Sequence, residues 1–362
     1  MELDKYRIRH NATFEQAISE MDLRGRQILL VVDAENRLVG TVTDGDLRRG
    51  ILRKIPLSSC IVDILNNNPI TTDETASVSE INQLMTTSGV RHIPIIDSSG
   101  VLTGLHTADF IVSSSPLQMT AILMVGGYGR RLGGLTTNCP KPMLEMGGKP
   151  ILETIVEQLR LAGVTRIFMA VNYLGDLIKN YFRDGTHFGV SIRYLEEPEP
   201  LGTAGALRLL DGIVDNTILV MNGDILTKVN FSQILLFHQS HNALATMCVR
   251  EFGYQVPYGV VELDGVNIKN IDEKPETVVF INSGVYVLDR SALTFIPKSG
   301  PYQMPELFSQ LRASGKKTIA YPIIEYWKDI GTPEDFSAAE REYADTFESH
   351  FQPRPIVSQA IR

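Results

Sequence analysis

Residues 120–132 read TAILMVGGYGRRL, in which an unbroken apolar run over residues 120–125 leads directly into a glycine-rich loop. Continuous apolar runs of this length are typical of strands that are buried on both faces of a parallel sheet. Apolar strands alternate with helical patterns further along the chain: strands are predicted at 166–171, 191–195, 217–221 and 245–249, and helices at 151–162, 174–182 and 333–348. This alternation predicts an open parallel α/β sheet that binds ligands at the carboxyl ends of its strands.

The loop after the first strand has the composition of a phosphate site. Three glycines can turn backbone amides toward an anion, namely Gly126, Gly127 and Gly129. Arg131 in the same loop can bind an anion in bidentate fashion, and Lys141 is held between two prolines. The loop is not a Walker A motif, because no Gly-Lys-Ser/Thr closes it, and it lacks the third glycine of the dinucleotide fingerprint. The loop, the arginine and the lysine together therefore predict an anion site of another kind.

From Gly126 through Pro150 the sequence resembles the amino-terminal pattern of the sugar-1-phosphate nucleotidyltransferases, also called NDP-sugar pyrophosphorylases. The resemblance continues to about residue 345 and implies a Rossmann-like open mixed sheet. Members of that family bind a nucleoside triphosphate (NTP) and a sugar 1-phosphate, form the NDP-sugar and release pyrophosphate. Such a reaction needs no protein nucleophile, because the sugar phosphate oxygen attacks the α-phosphorus and the protein positions groups and neutralises charge.

The resemblance also implies roles for individual residues. Arg131 and Lys141 would act as catalytic residues at the triphosphate, and Lys274 as a catalytic residue at the sugar phosphate. Asp224 and Asp329 match the positions that bind Mg²⁺, which proteins usually hold through one or two carboxylates plus phosphates. The glycines of the segment 201–205 would let backbone amides approach a flat ring. The implied substrate-binding positions are Gly126, Gly127, Gly129, Glu197, Leu201, Gly202, Thr203, Gly205, Asn222, Gly223, Gly259, Glu273 and Asn282.

The segment 201–205, LGTAG, is most similar to the guanylyltransferase branch of the family. GTP is therefore the favoured NTP, and a hexose or hexosamine 1-phosphate the favoured acceptor. A uridylyl- or thymidylyltransferase of the same family is the nearest alternative. A catalytically silent subunit that senses nucleotide or sugar phosphate is a second alternative, although the charged positions expected to be lost in such a subunit are all present.

An internal repeat precedes the nucleotidyltransferase-like part. Residues 28–46 and 93–109 each read as two apolar strands joined by an Asp-led turn and closed by a polar segment ending in Asp. The turn residues Asp33 and Asp97 lie 64 residues apart, and helix patterns with a Thr or Ser cap precede both copies. The repeat thus predicts two copies of one small α/β module.

This repeat resembles a tandem pair of CBS domains, which are βαββα modules. The resemblance implies that Thr43 and Asp46 bind an adenine nucleotide effector, with Asp46 at its ribose. It implies the same ribose contact for Asp109 in the second copy, whose motif is one residue shorter. A pair that only folds and dimerises, and an energy sensor that signals to a partner, are the alternatives. Arg48 and Arg49 are expected at a solvated helix end, or Arg48 at a ligand phosphate. A CBS pair fused in front resembles bacterial enzymes that make GDP-activated amino sugars of the legionaminic acid type.

Composition limits the remaining classes of protein. The 362 residues carry a formal net charge of −8, which argues against nucleic acid as the main partner. The apolar runs are shorter than the roughly 20 residues that span a bilayer, and residues 1–10 lack the apolar core of a secretory signal, so neither a membrane nor export is expected. Three scattered cysteines favour a reducing cytoplasm. His238 and His241 have helical spacing but no third ligand, so a polar helix face is predicted.

The predicted organisation has five parts and a multimeric assembly. CBS domains are expected at residues 1–55 and 56–114, a linker at 115–119, the nucleotidyltransferase domain at 120–348 and a carboxyl-terminal tail at 349–362. A homo-oligomer is expected.

Overall fold

The computed structural model describes residues 3–24, 27–107, 119–210, 212–214 and 217–347. The chain divides into two compact units, Met1–Ser115 and Pro116–Arg362. Asp109, the predicted linker up to residue 118 and the predicted tail lie outside the described residues. Among the helices of the described residues, none combines the length and the apolar composition that crossing a membrane requires.

The amino-terminal unit contains the predicted repeat. Its first half consists of β1 (Arg7–Arg9), α1 (Phe14–Arg24), β2 (Ile28–Val32), β3 (Leu38–Thr43) and α2 (Asp44–Leu52), and its second half of α3 (Val78–Ser88), β4 (His92–Ile96) and β5 (Leu102–Thr107). β2 pairs antiparallel with β3, and β4 pairs antiparallel with β5. Both hairpins have a register shift at the same place in the repeat, after Val31 and after Ile95. The equal spacing of these two bulges supports duplication of one module.

The two halves of this unit meet through their turns. The amide of Leu38 donates to the Gly100 carbonyl, and the amide of Leu102 donates to the Asn36 carbonyl, each at 3.0 Å. Apolar side chains of β2 and β5, including Leu30 and Leu102, share one core cluster beneath this contact. These two bonds join equivalent positions of the two halves, which are therefore related by approximate twofold symmetry.

The carboxyl-terminal unit is built on a seven-stranded sheet. The described part of this unit contains the following strands, of which seven form the large sheet and the others form two-stranded sheets: β6 (Met119–Met124), β7 (Glu145–Met146), β8 (Lys149–Pro150), β9 (Arg166–Val171), β10 (Ser191–Glu196), β11 (Thr217–Asn222), β12 (Ile225–Thr227), β13 (Ala245–Gln255), β14 (Val260–Asp264), β15 (Asn267–Asp272), β16 (Glu276–Leu288), β17 (Thr318–Pro322) and β18 (Trp327–Asp329). Its helices are α4 (Ile151–Leu161), α5 (Gly175–Phe182), α6 (Gly202–Gly205), α7 (Phe231–Ser240), α8 (Met304–Ala313) and α9 (Pro333–Phe347).

The order of strands in the large sheet is β10-β9-β6-β11-β16-β13-β17, and all pairings are parallel except those of β16. The expectation of a wholly parallel sheet is therefore wrong, whereas the open mixed sheet is confirmed. β16 runs antiparallel because it returns from β13 through a hairpin, and a parallel return would need a crossover connection.

The sheet is buried on both faces, as the apolar run at its centre predicts. Along β6, Ala121 and Leu123 pack into one core cluster and Ile122 into the other. α4 covers the first face with Ile151, Ile155 and neighbouring residues, all buried. Beyond the sheet, β13 and β16 continue as an exposed two-stranded arm that ends in the β14–β15 hairpin.

Candidate active site

The carboxyl ends of β6 and β11 lie side by side and bring the glycine loop to Asp224. The two strands pair in parallel with Met124 opposite Asn222, and the Gly223 amide donates to the Met124 carbonyl at 3.0 Å. β18 pairs antiparallel with β12, with Asp329 opposite Ile225, which places Asp329 one residue from Asp224 across the ladder. Two sequence segments about 100 residues apart thus contribute one carboxylate each.

Lys141 lies between these carboxylates. Its side chain is buried, and its Nζ forms an ion pair with Asp224 and lies 3.5 Å from Asp329 Oδ1. Arg131 approaches Asp329 at 4.0 Å from the other side, with 70% of its side chain exposed. The structure therefore brings together four of the five charged residues predicted for the nucleotidyltransferase site.

The electrostatics of the cluster suit an additional cation. Burial and the neighbouring charge of Asp224 raise the pKa of Asp329, and Lys141 and Arg131 oppose that shift. Asp224 Oδ1 is buried without a hydrogen-bond partner, and so is the side-chain oxygen of Asn222. An ionised carboxylate with an unsatisfied buried oxygen is a favourable ligand for a hard divalent cation.

The two carboxylates fit the way proteins hold Mg²⁺. Within the described ranges, His, Cys, Asp and Glu side chains form no group of three or more that could hold a metal ion. Two carboxylates with substrate phosphates completing the shell are the usual arrangement for Mg²⁺ at phosphoryl-transfer sites. Asp224 and Asp329 therefore satisfy the donor chemistry of the predicted metal site.

A cavity of about 290 Å³ opens beside this cluster. It is lined by residues of the glycine loop and the charged cluster, which are Met124, Val125, Gly127, Gly129, Arg130, Arg131, Lys141, Pro142, Asp224 and Gly331. Gly129 has φ +62°, and a Cβ there would lie 2.9 Å from Thr136 and 3.2 Å from Lys141. A Cβ on Gly127 would meet nothing within 4 Å. Gly129 is therefore needed for packing, whereas Gly127 leaves space next to the cavity.

Glu197 is the half-buried carboxylate on the other side of the loop. Its Oε2 accepts the Leu201 amide at 2.9 Å, and its Oε1 lies 3.2 Å from the position of a Cβ on Gly126. Burial raises the pKa of Glu197, and the bond from Leu201 partly offsets this. The Asn172 side chain donates to the Glu197 carbonyl at 2.8 Å. Sequence reasoning missed Asn172, although its place directly after the predicted strand 166–171 could have identified it.

Amides of the LGTAG segment are bonded to a neighbouring segment of the chain. The amides of Ala204 and Gly205 donate to the Tyr302 carbonyl, and both the amide and the hydroxyl of Thr203 approach Gln303 Oε1 at 3.2 Å. The amides at these three positions are therefore bonded within the protein, and contact of this segment with a flat ring stays a prediction. Gly202, with φ +79°, allows the close approach of Gln303, since a Cβ there would lie 2.5 Å from its side chain.

Lys274 and the predicted substrate-binding residues Gly259 and Glu273 lie on the exposed arm. Gly259, Glu273 and Lys274 are exposed, and Lys274 adopts φ +49° at the end of the β14–β15 hairpin. The side chain of Asn282 donates to the Tyr286 hydroxyl at 2.7 Å and accepts the Gly284 amide at 3.0 Å. The cavity lining includes neither Lys274 nor Asn282. The fifth charged residue, Lys274, is therefore not among the residues that line this cavity.

In the amino-terminal unit, Thr43 and Asp46 form a capping box at the start of α2. Asp46 Oδ2 accepts from the amide and the hydroxyl of Thr43 at 2.8 and 2.6 Å, and Oδ1 accepts from Arg49. Ser77 and Glu80 form the same box at α3. The expectation that Arg48 lies at a solvated helix end is wrong. Its side chain is buried and forms a bidentate ion pair with Asp44. The Asp46 carboxylate therefore has a structural role whether or not it also binds a ribose.

We expect Asp46→Ala and Glu80→Ala to lower the free energy of unfolding of the amino-terminal unit by a similar amount, about 1 kcal/mol each, because both remove a capping box. Only Asp46→Ala should also weaken binding of an adenine nucleotide. Chemical denaturation and calorimetric titration with AMP and ATP measure the two effects. Equal nucleotide affinity in both variants and the wild type would remove the ribose role and leave the cap.

Comparison with known proteins adds family evidence to this geometry. Residues 120–346 match the family model described as Nucleotidyl transferase, and residues 4–53 and 61–105 match the CBS domain model. The rice protein named "Probable mannose-1-phosphate guanylyltransferase 2" (Oryza sativa subsp. japonica) is 35% identical over 237 residues, which cover 63% of this chain. The mannose-1-phosphate guanyltransferase of Yarrowia lipolytica is 37% identical over 247 residues, or 66% of this chain and 68% of its own length.

The chain spans 65% of the length of the rice relative. Among solved structures, HddC from Yersinia pseudotuberculosis complexed with GMP-PN is 25% identical, with a TM-score of 0.50, and the match covers 62% of this chain and 99% of that one.

Proposed function

Since the chain belongs to the nucleotidyl transferase family and carries a CBS pair before that domain, we propose that it is a sugar-1-phosphate guanylyltransferase. It would transfer guanosine monophosphate from GTP to a hexose or hexosamine 1-phosphate and release pyrophosphate. The observation that carries the proposal is Lys141 between Asp224 and Asp329, with Arg131 beside them, at a glycine-loop cavity.

In this reaction an oxygen of the sugar phosphate attacks the α-phosphorus, and the bond from that phosphorus to the pyrophosphate breaks. The protein's task is to align the two reactants and to balance the charge that develops on the departing oxygens. Arg131, whose side chain is mostly exposed at the cavity, can extend to the triphosphate, and Lys141 is fixed at its edge. We assign Lys274 on the arm to the sugar phosphate.

Asp224 and Asp329 would hold the divalent metal, for which Mg²⁺ is the proposed ion. Such a cation, when bound, neutralises phosphate oxygens and helps to orient the triphosphate. Lys141 keeps the two like-charged carboxylates close together, since its ammonium group lies between them. The partnerless Oδ1 of Asp224 supports this assignment.

The preference for guanine is supported by Glu197. A carboxylate accepts hydrogen bonds and cannot donate them, and guanine presents two neighbouring donors, its N1–H and its N2 amine. Adenine presents an acceptor at the same ring position, and uracil and thymine flank their single N–H with two carbonyl oxygens. A carboxylate next to the glycine loop therefore selects guanine if the base lies at this side. The names of the two relatives and the GMP-PN complex agree with this choice.

We also propose the organisation, regulation and location of the protein. The boundary between the compact units at residues 115 and 116 supports the proposed linker at 115–119 and the domains on either side. We propose that an adenine nucleotide regulates the protein at its CBS pair, whose presence the family match supports. We also propose a product of the GDP-activated amino sugar type, as in legionaminic acid synthesis. The cytoplasm is the proposed location.

We expect pyrophosphate release with Mg²⁺ and GTP in a matrix of five NTPs and several hexose and hexosamine 1-phosphates. Turnover with GTP should exceed turnover with UTP, dTTP, CTP and ATP, because guanine would offer Glu197 two neighbouring donors. A coupled pyrophosphate assay with mass analysis of the NDP-sugar gives both base and sugar.

Glu197→Gln is the matched variant, since it keeps the shape of the side chain but replaces one acceptor oxygen with a donor, which cannot pair with the N1–H or the N2 amine of guanine. Its GTP-to-UTP ratio of kcat/KM should fall by about one order of magnitude, the value of one hydrogen bond to a charged group. An unchanged ratio would remove Glu197 from base selection. Silence across the whole matrix, with ligand still bound, would favour the catalytically silent subunit, and preference for UTP or dTTP would favour those branches.

A further inference from the structure

Arg130 is a cation of the glycine loop that has no part in the reaction as described so far. It lines the cavity next to Arg131, and its side chain is exposed. Its guanidinium lies over the ring of Tyr128, 5.1 Å from the ring centre. Among the residues that the structure describes, no carboxylate forms an ion pair with Arg130. Arg130 therefore brings to the cavity a positive charge with no acidic partner in the described chain.

The other charges at the cavity are already matched. Lys141 lies between Asp224 and Asp329. Arg131 approaches Asp329 at 4.0 Å. Two basic residues thus face two carboxylates in this cluster. A triphosphate carries several negative charges, and a bound divalent cation neutralises only part of them. Arg130 is the residue by which the basic side chains at the cavity outnumber the acidic ones.

The contact with Tyr128 makes Arg130 better suited to bind an anion. A guanidinium that lies over an aromatic ring is attracted by the face of the ring and keeps N–H donors at its edge for bidentate bonds to phosphate. The ring also restricts the arginine side chain before a ligand binds. A side chain that is already ordered loses less conformational entropy on binding, so Arg130 should bind phosphate more tightly than an equally exposed arginine without a ring beneath it.

Tyr128 is itself held by Tyr173, which follows strand β9. The centres of the two rings lie 5.2 Å apart, with an angle of 42° between the ring planes. The Tyr173 hydroxyl donates to the Thr137 carbonyl at 3.0 Å and lies 3.4 Å from the Thr136 carbonyl. Tyr173 therefore contacts the chain on both sides of Arg130 and fixes the ring over which its guanidinium lies.

We propose that Arg130 is a further residue that binds the triphosphate, and that Tyr128 is its positioning residue. The class of ligand is a polyphosphate, whose oxygens accept hydrogen bonds from the guanidinium. The inference rests on the proposed function in taking that polyphosphate to be part of a nucleoside triphosphate. It adds to that function a second arginine, whose orientation depends on an aromatic ring and not on a carboxylate.

Isothermal titration calorimetry with GTP and with inorganic tripolyphosphate, each in the presence of Mg²⁺, tests the role of Arg130. Arg130→Ala should weaken the binding of both ligands by about tenfold, the value of one hydrogen bond to a charged group. Arg193→Ala is the matched control, because it removes the same charge from an exposed position on strand β10 and should bind as the wild type does.

The outcomes separate this inference from the proposed function. Unchanged affinity in Arg130→Ala would overturn the inference even in a protein that turns over GTP. An equal loss in Arg193→Ala would also overturn it, because net charge alone would then explain the effect. Weaker binding only in Arg130→Ala, in a protein without turnover, would support the inference and contradict the proposed reaction. A wild type that binds neither ligand would overturn both.

A double-mutant cycle tests the positioning role of Tyr128. Tyr128→Leu should weaken GTP binding by about two- to fivefold, the usual value of a cation–π contact at an exposed site. Tyr128→Phe keeps a ring and should bind GTP as the wild type does. The effect of Tyr128→Leu should disappear when residue 130 is already alanine. A loss that persists in the Arg130→Ala background, or that Tyr128→Phe shares, would overturn the positioning role.

Discussion

Asp224→Asn should reduce pyrophosphate release with Mg²⁺ by about 10²–10³-fold, the usual loss when one preorganised electrostatic group is removed from an active site. The substitution keeps the shape of the side chain but removes the negative charge that holds a metal. It also weakens the ion pair with buried Lys141, whose remaining carboxylate partner lies 3.5 Å away. Two effects on the same cluster therefore add in one variant, which is why we expect this loss to be among the largest.

Asp329→Asn should show a smaller loss of stability than Asp224→Asn and a similar loss of turnover. Asp329 is more exposed than Asp224, and its contact with Lys141 is longer. Initial rates over a range of Mg²⁺ concentrations, with thermal unfolding of each variant, separate the metal effect from a folding effect. Asp176→Asn, an exposed acid on α5, is the matched control and should behave as the wild type. Turnover like that of the wild type in Asp224→Asn would refute the metal site.

The charged cluster could be predicted because each of its members lies in a local motif. Lys141 between two prolines and Asp224 after a buried strand are recognisable from a few neighbouring residues. Strand β9 was predicted over its full length, since its apolar run is bounded on both sides by polar residues. The repeat in the amino-terminal unit was likewise visible as equal spacing.

What could not be predicted depends on contacts between distant segments. The direction of β16 follows from its return beside β13, and the partner of the LGTAG amides, Tyr302, lies about 100 residues away. His238 was expected on a polar helix face but is buried, because its Nδ1 is bonded to Thr246 Oγ1 at 2.8 Å. The cap formed by Asp46 is local and could have been predicted, because the Thr-x-x-Asp spacing is also a capping-box pattern.

Gly129→Ala should destabilise the carboxyl-terminal unit and also reduce turnover, although Gly129 presents no side chain to a substrate. Alanine at φ +62° costs about 1–2 kcal/mol in the backbone, which corresponds to a fall of roughly 2–8 °C in Tm for a unit of this size. Its Cβ would also lie 2.9 Å from Thr136 and 3.2 Å from the Cβ of Lys141. We expect relief of that crowding to shift Thr136 and Lys141, and the position of the Lys141 ammonium between the two carboxylates to change with it.

Gly127→Ala is the matched control for stability, because a Cβ at that position meets nothing within 4 Å and its φ lies outside the left-handed region. Differential scanning calorimetry should show a lower Tm for Gly129→Ala and an unchanged Tm for Gly127→Ala. Because Gly127 also lines the cavity, the comparison uses Tm and not turnover. Equal Tm values for both variants would mean that the loop relaxes without disturbing Lys141, and the turnover of Gly129→Ala should then match the wild type. A large loss of turnover at an unchanged Tm would instead place Gly129 in direct contact with the triphosphate.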